Sequence, residues 1–133
     1  MNNLSDLGKL VLRLTLGTLL LFHGVSKIRH GVDFIFPALE AHGLPTALAC
    51  LSYIGEVLAP ILLIVGLWSR LAGVVVIINM LSALGLMHMA QFGDLAKSGG
   101  WALELQAFYL FTALTITLLG AGRLSVGGNG RFN

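Results

Sequence analysis

The chain has 133 residues, of which 56% are hydrophobic and only 11% charged, with a formal net charge of +2. Soluble domains carry about 25% charged residues. The deficit, with a mean hydropathy of +0.89, excludes an ordinary water-soluble domain and points to a lipid bilayer as partner. The eight basic residues are scattered, which excludes nucleic acid. The single cysteine, Cys50, excludes an internal disulfide, a CxxC redox pair and an iron–sulfur cluster built by one chain.

Four apolar segments are long enough to cross a hydrocarbon core of about 30 Å, which takes roughly 20 residues. They cover residues 7–27, 47–67, 71–89 and 101–119. The first carries Arg13 and lacks a small-residue cleavage site, so it reads as a retained helix rather than a signal peptide. The expected fold is all-α, a four-helix transmembrane bundle in one domain, residues 1–133. Trp68, Ser69 and Arg70 alone separate the second and third segments, which makes them antiparallel neighbours. The first connection, residues 28–46, holds Asp33, an apolar stretch and Pro37, and stops at Gly43 and Pro45. It is expected to form a short interfacial helix, capped by Asp33 with Pro37 in its first turn. Residues 90–100 form a polar, glycine-containing connection. Residues 127–133 are expected to be frayed.

An even number of spans puts both termini on one side. That side carries Lys9, Arg13, Arg70, Arg123 and Arg131, against Lys27, Arg29 and Lys97 on the other. The excess places the termini in the cytoplasm. His23 and Lys27, four residues apart and one turn apart on one helix face, then lie at the outer end of the first span. Glu56 lies nine residues into the second span, about 14 Å deep. His88 ends the third span and Glu104 begins the fourth. A charge at the bilayer centre costs about 2.5–3.5 kcal/mol, so Glu56 must pair, face a wet cavity or stay protonated. These observations predict one pocket, open to the outside, lined by Glu56, His23, Lys27, His88 and Glu104, with Arg13 beneath reaching toward Glu56. Glu56, His23 and His88 are the candidate catalytic groups; Lys27, Glu104 and Arg13 are the candidate ligand-binding groups.

Blander readings apply to the same residues. Lys27 and Glu104 can snorkel, the histidines can be interfacial, and Arg13 with Glu56 can be a structural ion pair. Asn79 reads as interhelical glue. Gly17 and Gly24, seven apart, permit close helix packing. Pro60 is expected to kink the second span one turn after Glu56. Trp68 and Trp101 fit interfacial anchors, and Phe22, Phe108 and Phe111 fit the core or the lipid face.

A bis-histidine haem on His23 and His88 suits neither the neighbouring charges nor so short a signal. A metal site is opposed by the Lys27 cation. An anionic or quinone-like ligand fits better, because Lys27 and the histidines can hydrogen-bond an oxygen while a carboxylate exchanges protons. The chain supplies no redox group of its own, so electrons must come from a cofactor, a substrate or a partner subunit.

Arg13, then GTLLLFHGVSKI with His23, Gly24 and Lys27, then Glu56 and GLWSR, then His88, Gly99-Gly100 before Glu104, and GAGRLS at 120–125 follow one another along nearly the whole chain. In this order and spacing the chain resembles the DoxX family of small four-helix bacterial membrane proteins. It departs from the family pattern near its end, where Ala121 stands for a proline, Leu124 for an aromatic residue and Gly127 near an acid. The family takes its name from a subunit of a thiosulfate:quinone oxidoreductase. The resemblance implies a multi-pass inner-membrane protein with a quinone-linked role, acting with a redox partner subunit or as a homo-oligomer. Two other functions compete: a small proton-coupled transporter, and a non-catalytic assembly subunit whose pocket is structural or holds lipid.

Overall fold

A computed structural model describes residues 3–133, and among them the regular structure is helical, with a single isolated bridge between Leu95 and Trp101. Five helices organise the chain. Helix α1 is Asn3–His30, α2 is Phe36–Ala41, α3 is Thr46–Val65, α4 is Ser69–Met87 and α5 is Glu104–Leu119. Helices α1, α3 and α4 are long and apolar enough to cross a membrane; α5 is apolar but has 16 residues. At 1.5 Å per residue it spans about 24 Å.

Helix α5 starts three residues later than the apolar run suggests, because the preceding loop closes on itself. Ala96 N–H donates to Gly100 O at 2.6 Å and Ala102 N–H to Asp94 O at 3.0 Å. Gly99 takes φ +95°, a conformation that costs glycine little. These bonds hold residues 101–103 in turns.

Helices α3 and α4 are antiparallel neighbours across the tight turn at Gly66, Leu67 and Trp68, as the short connection requires. Gly66 lies in the left-handed region at φ +77°, and both its N–H and that of Leu67 donate to Leu62 O, at 2.9 and 3.0 Å. This pairing ends α3 while satisfying its last carbonyls.

The core is built where small residues let backbones approach, the usual packing mode of apolar helices in lipid. Leu20 of α1, Leu63 of α3, Val76 of α4 and Ala113 of α5 meet in it, all fully buried. A Cβ on Gly17 would stand 2.8 Å from Pro60 O, and one on Gly24 would collide with the Glu56 carbonyl oxygen. The two glycines therefore seat α1 directly on the backbone of α3. Phe22, Phe108 and Phe111 point outward, so this belt is available to lipid rather than to the core.

The first connection folds as a 3-10 turn, Asp33–Ile35, followed by α2. Val32, Ile35, Leu39 and Ala49 make a second small core, joined by Tyr53 and Leu86. This lays α2 over one end of the gap between α3 and α4. Pro37 lies in the first turn of α2, as expected, but Asp33 makes no capping hydrogen bond.

The tail departs from expectation. Residues 127–133 are not frayed: Gly127 N–H donates to Gly66 O at 2.9 Å, and the Asn133 amide donates to Gly128 O at 2.7 Å. Asn133 Oδ1 accepts from Ser69 N–H at 3.1 Å, and Phe132 O accepts from Arg70 N–H at 2.9 Å. Composition alone suggested a loose glycine-rich end. Its order comes from backbone groups left over at the α3–α4 turn, which is a tertiary effect.

Candidate functional site: a cavity beside the Lys27–Glu56 pair

Glu56 lies in an irregular stretch of α3. Ile54–Leu58 forms a π turn, with Ala59 N–H bonded to Ile54 O, five residues back. The cause is local: Pro60 has no N–H to offer Glu56 O in the ordinary pattern. Such wide turns recur at functional sites. Here the Glu56 carbonyl lies against α1 opposite Gly24, and its side chain reaches Lys27 on the same helix.

Lys27 lies three residues after Gly24 on the same face of α1 and forms an ion pair with Glu56 through Nζ and Oε2. The two side chains are 17% and 7% exposed. Tyr53 donates its hydroxyl to Lys27 O at 3.1 Å, and Nζ lies 5.9 Å from the centre of the Phe34 ring. Each charge thus neutralises the other away from water. Removing one partner of such a pair costs about 3–5 kcal/mol, because the other is left uncompensated.

Beside the pair lies a cavity of about 430 Å³, bounded by α3, α4 and the end of the first connection. Its polar lining is short: Lys27, Glu56, Ser52, Asn79 and Ser82. Ser52 donates to Ala49 O at 2.7 Å. The Asn79 amide lies across Gly55, where a Cβ would stand 2.5 Å from its Cγ, and among the described residues it has no hydrogen-bond partner. The remaining walls are apolar, including Leu39, Ile54, Met80 and Leu86. An apolar hollow with a few converging polar groups is the usual form of a small-molecule site.

The six candidate residues from the sequence fall in different places. Lys27 and Glu56 line the cavity together. Arg13 does not reach Glu56: it is fully buried lower in the bundle, donating to Leu63 O at 2.9 Å, to Ala121 O at 3.1 Å and to Leu124 O. Gly24 faces Glu56 and Gly17 faces Pro60, so the level of Arg13 on α1 matches Leu63, about two turns below the carboxylate. His23 is exposed and stands edge-on to Tyr109 of α5, centroids 6.0 Å apart. His88 shares a contact of 3.2 Å with Gln91 Oε1. Glu104 is exposed, folds over Gly100 and borders a shallow apolar groove between α1 and α5, together with Leu12 and Phe108. His23, His88 and Glu104 are thus outside the cavity lining. Among the described residues no three His, Cys, Asp or Glu side chains converge as a metal site would need.

Asn79 is the lining residue that sequence reasoning assigned to glue. The signal that could have placed it is Gly55, one residue before Glu56, which makes room for an amide from the next helix.

The DoxX family model matches residues 8–89, a stretch running through α4 that contains Arg13, Lys27, Glu56 and Asn79 but neither Glu104 nor the tail. Searches of curated proteins and of solved structures gave no match. With more than half of its length matched, this chain belongs to the DoxX family.

Proposed function

We propose that the protein is the membrane component of a quinone-linked oxidoreductase of the bacterial inner membrane, with four spans, cytoplasmic termini and a polar site in the outer half. The observation that carries this reading is the Asn79 amide, without a partner among the described residues, beside the Lys27–Glu56 pair in a cavity of about 430 Å³. That volume falls within the range of about 300–1,000 Å³ that holds small-molecule ligands. The donor set fits a carbonyl-bearing ring: the Lys27 ammonium and the Asn79 amide can donate to its oxygens, and Glu56 can exchange a proton with them. Electrons come from a redox group on a partner subunit, and reduction at the ring requires protons that the Lys27–Glu56 pair is positioned to relay.

Replacing Glu56 with Gln tests this. Affinity for a decyl-substituted benzoquinone should fall at least about tenfold, or 1.4 kcal/mol, while the protein stays folded and monodisperse in detergent. Unchanged affinity rejects the assignment. A non-catalytic subunit whose cavity holds lipid is the second reading. It is favoured by the fact that Lys27 and Glu56 already satisfy each other, and it expects no quinone affinity in either protein.

A further inference from the structure

Helices α3 and α4 pack against each other along Ile54–Val65 and part beyond the π turn, where the first turns of α3 make only sparse contact with α4. The cavity occupies this parting. Its rim on the α3 side is Leu51 and Ile54, and on the α4 side Ile78 and Ser82, all exposed. Leu51 and Ile78 are 56% and 58% exposed, and they sit on helices that otherwise turn apolar faces outward. The end of the cavity toward the first connection is different. There Ile35 and Leu39 are buried, and α2 is tied to the start of α3 by the second small core. A molecule arriving from water would have to pass that core and the apolar side chains of Leu44 and Leu48, which are exposed and also line the cavity. A molecule arriving from hydrocarbon has only these exposed rim side chains to pass.

We propose that the cavity fills sideways from the hydrocarbon, between α3 and α4, with a membrane-resident amphiphile whose oxygen-bearing head lies against Lys27, Glu56 and Asn79 and whose apolar chain leaves between Ile54 and Ile78. The identity of the head rests on the functional reading above; the lateral route does not. The occupant follows from the lining. One end of the cavity offers the Lys27 ammonium, paired with Glu56, and the Asn79 amide, which has no partner among the described residues. Both complement a carbonyl or other oxygen head. The rest is apolar and opens onto the apolar belt, which suits a chain and gives no purchase to a small free anion. A tailed quinone and an acyl lipid share this chemistry, and the experiment separates them.

The test replaces Trp68 and Trp101 with Phe and adds one tryptophan at Ala83, which lines the cavity. The protein is reconstituted in phosphatidylcholine with brominated acyl chains. The Ala83→Trp emission should be lost to the same fraction as that of an outward-facing Phe108→Trp control, while aqueous acrylamide leaves it nearly unchanged. Quenching by acrylamide without quenching by bromolipid overturns the lateral route, and so does shielding from both. Should Ala83→Trp misfold, Ser82→Trp at the rim gives the same readout. Adding a decyl-substituted benzoquinone then identifies the head. Relief of bromolipid quenching supports both the route and the quinone reading. Persistent quenching keeps the route, assigns the cavity to lipid chains and removes the quinone.

Discussion

Each end of this bundle buries charge, and the two ends do it in opposite ways. At the lower end, Arg13 is 0% exposed and its guanidinium is held by carbonyls of Leu63, Ala121 and Leu124. Around it, Arg70 donates to Thr117 O at 3.2 Å, and Arg123 Nε donates to Asp6 at 2.7 Å. Every strand of that network ties one segment to another, and the side chains fill the space between them. At the upper end, Lys27 and Glu56 satisfy each other but border a cavity and the Asn79 amide, which has no partner among the described residues. Burial and charge are common to both ends. The lower end also leaves the buried Ser69 Oγ without a partner among the described residues, but Ser69 does not line the cavity. What separates a structural polar group from a candidate site is leftover bonding capacity beside leftover volume.

The sharpest break in the comparison is Arg13→Met. It leaves three carbonyls without their donor, two of them in buried bonds, so a loss of about 3–5 kcal/mol is expected, visible as a large fall in melting temperature in detergent. Lys27→Met should cost a comparable amount, because it leaves Glu56 uncompensated. Adding Glu56→Gln should recover most of that loss, whereas no second change replaces the donor that Arg13 supplies to three backbone carbonyls. Next is Gly24→Ala. Its Cβ would strike the Glu56 carbonyl, and the resulting overpacking should cost about 1–3 kcal/mol and lower ligand affinity with it. The control is Gly8→Ala on the same helix, where a Cβ meets nothing within 4 Å and the better helix former should stabilise by roughly 0.5–1 kcal/mol. The smallest effect concerns Asp6, which precedes the apolar segment of α1, residues 7–27. The Arg123 side-chain and backbone hydrogen bonds hold its carboxyl below the usual range. A depressed carboxylate pKa adds stability above the unfolded value, near 3.9, that is lost as pH falls through the folded value. Wild type should therefore lose melting temperature on acidification below pH about 3.9, and Asp6→Asn should lose less over the same interval.

The sequence carried the helices wherever an apolar run was long, and it carried the seating of α1 on α3 through Gly17 and Gly24. It also held both members of the Lys27–Glu56 pair in one expected pocket, although depth counting let Arg13 reach toward Glu56, which it does not. Counting residues from a helix start gives height along one span but not the register between two. The register is set by Gly24 against Glu56, and it leaves Arg13 beside the last turn of α3. There the helix-ending Gly66 and the GAG stretch at 120–122 expose carbonyls that a guanidinium can hold, a signal present in the sequence but informative only once chain ends are known to meet. His23 illustrates the other gap. One residue before Gly24, it is rotated off the α3 face and meets Tyr109 instead. The order of residues 127–133 was not legible, since glycine-rich composition says nothing about the free backbone groups of a distant turn.

The tail that fastens Ser69, Arg70, Val65 and Gly66 at one end makes the bundle behave like a pair of tongs. With the base clasped, thermal excursions of α3 relative to α4 grow with distance from it, so the jaws differ from the grip. Spin labels at positions 51 and 82 should report a broader spread of separations than labels at 65 and 71. A guest with a thicker chain would then be accommodated by spreading the jaws and not by repacking the hinge.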